Sequence, residues 1–254
     1  MEFDLERISP NAADINTTIG GSKIVIVGSP GSGKSTLIKA IARAMQHLIP
    51  SGIVMSGTEE VNHTFARFFP PTHIYTKYDA TAFDNFIQRQ KAASETLNNP
   101  WGLLILDDCI DDPSVLRTPS QAALYKFGRH WKLLSILSLQ YALDIRPSIR
   151  SSIDFSFIFR EPNLSNRMIL FKCFASIIGD FRTFCSIMDQ LTEDYTCLVI
   201  HNTAKSNKLE DCVFWFRAPL VPPDFRFGAE EFWEFSRDRL DPKVAATIEK
   251  GLRK

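Results

Sequence analysis

A glycine-rich stretch near the amino terminus constrains the fold of this chain more than any other feature. Residues 28–35 read GSPGSGKS and match the pattern G-x-x-x-x-G-K-S/T in full. The β-branched run of residues 24–27 precedes the stretch, and apolar residues at helical spacing follow it in residues 37–45. This order of strand, turn and helix predicts an α/β fold with a phosphate-binding loop, although a glycine-rich turn can also be purely structural.

The residue types in this stretch suit the binding of a nucleotide. Glycine torsions allow successive backbone N–H groups to face one anion, and the following helix directs its positive end toward the same anion. We predict that Lys34 reaches the β- and γ-phosphates and that the Ser35 hydroxyl holds Mg²⁺. The predicted nucleotide contacts are Gly28, Ser29, Pro30, Gly31, Ser32, Gly33, Lys34, Ser35 and Thr36.

A second apolar run, residues 103–106, ends in two carboxylates, Asp107 and Asp108. Because ligands bind at the carboxyl edge of parallel strands in open α/β sheets, an acid at this position can meet the Mg²⁺ of the loop. We predict Asp107 as the Mg²⁺ ligand and Asp108 as the general base that faces an attacking water. The alternative for Asp108 is a surface or helix-capping carboxylate, a role also expected of Asp111 and Asp112.

Three polar residues around the apolar run 133–139 are further candidates for catalysis. Gln140 ends the run, where its amide can bridge a γ-phosphate and a water or simply satisfy a neighbouring backbone group. Arg129 precedes the run and Arg150 follows it. A guanidinium supplied by a neighbouring subunit raises nucleotide hydrolysis by roughly 10³- to 10⁵-fold. Either arginine can instead be a salt-bridged surface residue, and the sequence does not choose between them.

The composition is that of an ordinary globular protein. The 254 residues carry 29 basic and 29 acidic side chains, and 44% of them are hydrophobic. This balance excludes a disordered tail protein, a collagen and a strongly basic nucleic-acid binder. No stretch approaches the roughly 18 apolar residues of a membrane span, and we expect no secretory signal. The 20 phenylalanines indicate aromatic packing in the core or, alternatively, a subunit interface.

The alternation of apolar runs predicts a mainly parallel sheet between layers of helices. Predicted strands cover residues 24–27, 53–56, 73–75, 103–108, 133–139, 155–159, 196–201 and 212–216, and the last two are expected to form an antiparallel hairpin. Predicted helices cover residues 37–45, 81–97, 121–130, 164–176, 180–190, 230–239 and 242–252. We expect an amino-terminal arm (residues 1–21), a core domain (residues 22–218) and a carboxyl-terminal helical extension (residues 219–254).

Three segments of the chain are distinctive in combination. They are GSPGSGKST at residues 28–36, LLILDD at residues 103–108 and GRHWKLLSILSLQYALDIRPSIRSSI at residues 128–153. The third segment has an Arg-His pair before a strand, a strand that ends in Leu-Gln, and then Ile-Arg followed by small polar residues. With these segments the chain resembles the poxvirus-type genome-packaging ATPases of the large nucleocytoplasmic DNA viruses, which belong to the FtsK/HerA superfamily. The resemblance spans about residues 20 to 217.

The resemblance implies the fold, the activity and the partners of the chain. The implied fold is the P-loop NTPase three-layer sandwich, with a mainly parallel sheet extended by an antiparallel hairpin. The implied activity is that of a DNA translocase that hydrolyses ATP with Mg²⁺ and packages viral double-stranded DNA into capsids. The implied partners are DNA, neighbouring subunits in a hexameric or pentameric ring, and capsid or portal-vertex proteins. The implied location is the virus factory in the cytoplasm of an infected host cell, or the virion.

The resemblance also implies roles for single residues. Lys34 and Ser35 match the phosphate loop, Asp107 matches the Mg²⁺ ligand and Asp108 matches the residue that polarises water. Many members of the superfamily carry Glu where this chain has Asp108, and the shorter side chain places its carboxylate about one methylene further from the water.

The resemblance extends to the residues around the predicted strand 133–139. Gln140 matches the polar sensor of the family, Arg129 matches the favoured trans-acting arginine finger, and Arg150 matches a basic position that is the second choice.

Two questions of function stay open. An ATP-driven DNA motor and a nucleotide-gated assembly switch or scaffold with negligible turnover both agree with the predicted loop. A neutral motor can concentrate its DNA contacts in a few basic residues, because each neutralised phosphate adds salt-dependent affinity. Residues 160–167 and residues 205–208 contain candidate basic clusters for DNA contact, each of which can instead be solvated surface.

Overall fold

An eight-stranded sheet forms the centre of the molecule. The computed structural model describes residues 1–8, 21–110, 112–142, 145–243, 245 and 248. The strands are β1 Lys23–Val27, β2 Ser51–Ser56, β3 Ile74–Tyr75, β4 Gly102–Asp107, β5 Leu133–Leu139, β6 Phe155–Ile158, β7 Thr196–His201 and β8 Val213–Arg217. Their order is β3-β2-β4-β5-β1-β6-β7-β8; the first six in this order are parallel, and β7 and β8 form an antiparallel hairpin at one edge. The predicted fold class is confirmed.

Helices pack on both faces of the sheet. They are α1 Lys34–Met45, α2 Glu59–Asn62, α3 Ala80–Thr96, α4 Pro119–Phe127, α5 Pro147–Arg150, α6 Leu164–Leu170, α7 Phe181–Leu191, α8 Leu209–Cys212 and α9 Glu230–Arg239. Helix α1 buries Leu37 and Ile41 against one face, whereas α3 and α7 bury Phe83 and Met188 against the other. Covered on both faces, the central strands have no polar face, so their sequences are nearly continuous apolar runs.

Some elements differ in extent from their predictions. The short strand β3 begins after His73, because the preceding prolines start a 3-10 turn over Pro71–His73. Helix α4 begins at Pro119, where the Thr118 side chain caps it by accepting the N–H of Gln121 at 3.4 Å. Most of the predicted helix at residues 242–252 lies outside the described residues. Asp111 also lies outside them. In the described part of the chain no helix is long and apolar enough to cross a bilayer.

The first eight residues, which belong to the predicted arm, pack against the edge of the sheet. Phe3 N–H donates to the carbonyl of Trp215 on β8 at 2.8 Å, and Trp215 N–H donates to Met1 O at 3.0 Å. The Phe3 ring is buried between the rings of Phe155 and Phe214, with centroids 5.4 and 5.6 Å away. The amino terminus therefore contributes to the hydrophobic core, while residues 9–20 of the predicted arm lie outside the described residues.

The segment after β8 also packs into the core. Phe227 is fully buried, stacks on Phe69 with a centroid separation of 5.0 Å, and donates its N–H to Phe68 O at 2.7 Å. Phe232 on α9 meets Phe69 edge-on at 5.7 Å. For these residues, the high phenylalanine content serves aromatic packing within one subunit.

Candidate functional site

The loop of residues 28–35, called the glycine loop below, leads directly from β1 into α1. Gly28 N–H donates to Leu139 O at 3.2 Å, which fastens the start of the loop to β5. Gly31 and Gly33 have φ values of 77° and 108°, in the left-handed region that favours glycine. The loop thereby places the amino end of α1 at the carboxyl edge of the parallel strands, where the helix dipole attracts anions.

The side chain of Lys34 lies beneath the glycine loop and is only 6% exposed. Its Nζ donates to Gly28 O at 2.8 Å and lies 3.2 Å from Asp108 Oδ2. The ammonium group is therefore held between a loop carbonyl and an acid at the end of β4. An entering phosphate would compete with Asp108 for this charge.

Asp107 is the last residue of β4 and is only 2% exposed. It pairs in register with Ser56 on β2 and with Ser138 on β5. Ser56 Oγ donates to Asp107 Oδ2 at 3.2 Å, whereas Oδ1 is buried and has no hydrogen-bond partner among the described residues. Burial raises the pKa of this carboxyl. A buried carboxylate oxygen without a partner marks a position where a ligand can supply the missing contact.

Asp108 lies in a different environment from its neighbour. Its φ of 42° falls in the left-handed region, which Asp tolerates better than most residues, and its N–H donates to Ser138 O at 3.1 Å. The side chain is partly exposed and forms the ion pair with Lys34. Two adjacent carboxylates are thus differentiated: one is buried with an unpaired oxygen, and the other reaches the glycine loop and solvent.

A pocket of about 700 Å³ collects these groups on the carboxyl edge of the sheet. Gln140, exposed just after β5, contributes to its wall. The lining residues are Pro30, Gly31, Gly33, Lys34, Ser35, Thr36, Thr58, Asn62, Asp107, Asp108, Gln140, Tyr195, Arg217, Ala218 and Leu220. The structure therefore brings the glycine loop, both predicted acids and the predicted sensor together.

The two candidate arginines lie away from this pocket. Arg129 forms an ion pair with Asp154, which also accepts the backbone N–H of Lys23 at 2.8 Å. Lys23 begins β1, so Arg129 is at the amino edge of the sheet, and the five residues of β1 put roughly 16 Å between that edge and the glycine loop. Arg150 ends α5 and donates to Cys173 Sγ. Neither arginine lines the pocket of its own subunit.

With this geometry in place, comparison with known proteins is informative. A sequence profile of the poxvirus A32 protein family matches residues 20–215, a range that includes the glycine loop, both acids and Gln140. The chain belongs to the poxvirus A32 protein family. The family predicted from the three sequence segments is confirmed. The matched range, residues 20–215, agrees with the span of the resemblance, about residues 20 to 217.

Relatives of this A32 family member include proteins of an invertebrate iridescent virus and of a frog virus. Protein 088R of Invertebrate iridescent virus 3 is 46% identical over 95% of this chain and 94% of its own length. Protein 015R of Frog virus 3 is 35% identical over 98% of this chain and 78% of its own length.

Solved structures with the same fold include B204, the DNA-packaging ATPase of Sulfolobus turreted icosahedral virus. It has a TM-score of 0.57 and 17% identity, over 80% of this chain and 100% of B204. The pCW3 conjugation coupling protein TcpA has a TM-score of 0.57 and 13% identity, over 85% of this chain and 65% of TcpA. At these identities the likeness shows that this A32 family member shares its fold with P-loop ATPases.

Sequence reasoning missed several residues at the site of this A32 family member, and four of them contact or flank its main groups. Ser56 and Ser138 flank Asp107 in the sheet, and Tyr195 and Arg217 line the pocket from β7 and β8. Ser138 could have been found from the sequence, because a polar residue inside the apolar run 133–139 indicates a polar neighbour in the sheet. Tyr195 and Arg217 carry no local pattern, since only the strand order brings them beside the glycine loop.

Proposed function

We propose that this protein is an ATP-hydrolysing motor that moves viral double-stranded DNA into capsids. The observation that carries the proposal is the pocket in which the glycine loop meets Lys34, the unpaired oxygen of Asp107 and the partly exposed Asp108. Membership of the A32 family and the fold of B204, whose related structure from Sulfolobus turreted icosahedral virus 2 holds ATP-gammaS, support the choice of ATP.

The residues present fit a magnesium ion. Mg²⁺ prefers hard oxygen ligands, and the pocket offers the hydroxyl of Ser35 and the carboxylate of Asp107. Within the described part of the chain, Asp107 Oδ1 is buried without a hydrogen-bond partner, so a cation would complete the compensation of this carboxylate charge. When bound, Mg²⁺ would neutralise charge on the phosphates.

Hydrolysis in this pocket would begin with an exchange of partners by Lys34. The terminal phosphates would bind the ammonium group of Lys34 and so displace Asp108 from its ion pair. Asp108 would then accept a proton from water as the water oxygen bonds to the γ-phosphorus. The bond from that phosphorus to the bridging oxygen of the β-phosphate breaks, which leaves ADP and inorganic phosphate. Gln140 would orient the water from the end of β5.

A ring assembly would complete the site. Arg129 lies at the opposite edge of the sheet from its own glycine loop, so it could reach a γ-phosphate only in a neighbouring subunit. We propose Arg129 as the trans-acting finger and Arg150 as the second choice. A hexameric or pentameric ring presents one surface of each subunit to a different surface of the next, which such a finger requires.

The proposed partners and location follow from the same family membership. Double-stranded DNA would pass through the ring, and capsid or portal-vertex proteins would receive it, in the virus factory of the infected cytoplasm or at the virion. Of the two basic clusters, residues 160–167 include Arg167, which is buried and bonded to Asp189 at 2.6 Å. Lys205 and Lys208 are exposed, so their hairpin is the better DNA contact.

The test is ATP turnover with and without double-stranded DNA. We expect DNA to stimulate the wild-type protein and Lys34→Ala to abolish turnover, because Lys34 holds the terminal phosphates. The matched control is Lys77→Ala, which removes an exposed lysine between β3 and α3 and should hydrolyse ATP at the wild-type rate. A Lys34→Ala protein that hydrolyses ATP at the wild-type rate would refute the motor.

The Lys34–Asp108 ion pair favours one second candidate, a nucleotide-gated assembly switch or scaffold. In a switch, nucleotide would break this ion pair and trigger assembly with negligible turnover. Asp108→Asn separates the two functions. A motor loses turnover but retains nucleotide binding, because the general base is missing. A switch gated by this ion pair would instead assemble without nucleotide, because the variant lacks the pair.

A further inference from the structure

Two depressions flank the glycine loop. The first is the pocket that contains Asp107, Asp108 and Gln140, called the acid pocket below. The second, called the outer pocket, has a volume of about 670 Å³. Its lining residues are Ser29, Pro30, Gly31, Ser32, Phe159, Arg160, Pro162, Thr192, Glu193, Asp194, Tyr195 and Thr196. Tyr195 lines both pockets, together with the tip of the glycine loop.

The strand order explains why Tyr195 lies at this position. Strand β7 is antiparallel to β6, so its amino end is at the same edge of the sheet as the glycine loop. Tyr195 immediately precedes β7 and is 67% exposed. A Cβ atom placed on Gly33 would be only 3.5 Å from Tyr195 Cδ1, so the ring lies directly beside the loop.

The backbone at Tyr195 is unusual. Asp194 and Tyr195 have φ values of 47° and 62°, and two consecutive non-glycine residues in the left-handed region are uncommon. Such conformations cost free energy and persist where the surrounding structure imposes them. Here the turn is closed by Thr196 N–H, which donates to Glu193 O at 2.8 Å. The fold thus holds a large aromatic ring in solvent beside the glycine loop.

The direction of a bound nucleotide follows from the two sides of β1. Asp107, Asp108 and Gln140 end β4 and β5, which lie on one side of β1 in the sheet. If the γ-phosphate faces these groups, the rest of the triphosphate crosses the glycine loop. The nucleoside must then leave on the other side of β1, where β6, β7 and Tyr195 are located.

We propose that the aromatic base of the bound nucleotide stacks on the ring of Tyr195, a role that rests on the proposed nucleotide-hydrolysing function. An exposed aromatic ring offers a flat apolar surface to the face of a base, and stacking of this kind is worth about 5- to 150-fold in affinity by alanine substitution. Tyr195 would therefore fix the nucleoside, while the glycine loop binds the phosphates.

The experiment compares a ligand that has a base with one that lacks it. Calorimetry would measure the affinities of Mg·ATPγS and Mg·tripolyphosphate for the assembled wild-type protein and its variants. We expect Tyr195→Ala to lower the affinity for ATPγS by about tenfold. The affinity for tripolyphosphate should not change, because this ligand has no base to stack on the ring. Tyr195→Phe keeps the ring and should bind both ligands within about twofold of wild type.

Two further variants separate the possible failures. Tyr195→Asn removes the ring but suits a left-handed backbone, so it should match Tyr195→Ala if stacking is the cause. Lys34→Ala should lower the affinity for both ligands, because both bind through their phosphates. Wild-type affinity for ATPγS in Tyr195→Ala, or an equal loss of both ligands, would overturn the stacking role and leave the proposed function intact. A wild-type protein that bound neither ligand would instead refute nucleotide binding itself, and the stacking role with it.

Discussion

At the scale of single residues, the site buries a carboxylate whose charge the folded chain stabilises only in part. Asp107 is almost fully buried, one of its oxygens has no partner among the described residues, and burial raises the pKa of its carboxyl. Desolvation of a carboxylate costs free energy unless hydrogen bonds or a cation compensate it. The arrangement is therefore better suited to the ligand-bound protein than to the empty one.

This imbalance predicts that Asp107→Asn stabilises the empty protein. A neutral amide of the same size removes the desolvation cost, so we expect the free energy of unfolding to rise by about 1 kcal/mol at neutral pH without nucleotide or Mg²⁺. Urea denaturation would measure this change. Asp84→Asn, on the exposed side of α3, is the control and should change stability by less than about 0.5 kcal/mol. A clear loss of stability in Asp107→Asn would contradict the interpretation.

A partly buried histidine, His73, gives a pH-dependent prediction. His73 packs against Phe232 with ring centroids 4.5 Å apart, and burial, aided by the charge of Arg89, lowers its pKa to about 4. Between about pH 6.5 and pH 4 the unfolded chain binds a proton at His73 that the folded chain does not, so stability falls as the pH falls through this range. Because the ring is partly solvated, we expect a loss of about 1 kcal/mol from this residue.

The contribution of His73 can be isolated by substitution. The difference in free energy of unfolding between about pH 7 and pH 4.5 should shrink by about 1 kcal/mol in His73→Gln, because the substituted side chain does not titrate. His47→Gln, which changes an exposed histidine, should leave the wild-type difference unaltered. An identical pH dependence in wild type and His73→Gln would show that His73 does not titrate in this range.

At the scale of elements, the site is built from strand ends. Strands β1, β4 and β5 are parallel, so the glycine loop, the two acids and Gln140 meet at one edge although they are far apart in the chain. Each of these groups follows an apolar run that the sequence shows clearly, which is why they could be predicted. The Asp107 environment could not, because Ser56 and Ser138 become its neighbours only through the pairing of β2, β4 and β5.

The limits of element prediction have the same origin. Periodicity located every strand of the sheet to within a few residues, but it did not show that the segment after β8 returns to the core. Phe227 and Phe69 stack across more than 150 positions of sequence, and no local pattern encodes such a contact. Weak periodicity predicts the arm, and a polar stretch after several prolines predicts the extension, but neither feature shows that Phe3 and Phe227 are buried in the hydrophobic core.

The contact between this segment and the core predicts a large effect of Phe227→Ala. The ring is fully buried against Phe69, so its removal leaves a cavity and should cost about 3 to 4 kcal/mol of free energy of unfolding. Phe235 on α9 is partly exposed, and Phe235→Ala should cost less than about 1 kcal/mol. Urea denaturation of both variants tests this; equal and small losses would show that the segment after β8 adds little to the stability of the core.

At the scale of the whole molecule, the two edges of the sheet carry different groups. The carboxyl edge holds the glycine loop and the acid pocket, whereas the amino edge of the parallel strands holds the ion pair of Arg129 and Asp154. The hairpin turn with Lys205 and Lys208 follows β7 at this second edge. A chain with 29 basic and 29 acidic side chains can thus separate nucleotide chemistry from a small basic surface without a large net charge.

Arg129 also has a role within its own subunit, which any test of a trans-acting finger must separate from catalysis. Its partner Asp154 is buried and also accepts hydrogen bonds from Lys23 N–H and Thr203 Oγ1. Loss of the guanidinium would leave part of this buried charge uncompensated, so Arg129→Ala is expected to lower stability as well as turnover. Rescue by a second subunit distinguishes the two effects, because a folding defect in one chain is not repaired by its neighbour's active site.

Mixed rings provide that test. Arg129→Ala subunits keep a complete glycine loop, and Lys34→Ala subunits keep the arginine, so each variant alone should be nearly inactive while an equal mixture recovers about a quarter of wild-type ATP turnover if neighbours assort at random. Lys34 and Asp108 belong to one pocket, so mixing Lys34→Ala with Asp108→Asn should give no recovery. Absence of rescue at every ratio for Arg129→Ala, together with rescue for Arg150→Ala, would transfer the finger to Arg150, because only a residue that acts across the interface can complement a defect in its neighbour's glycine loop.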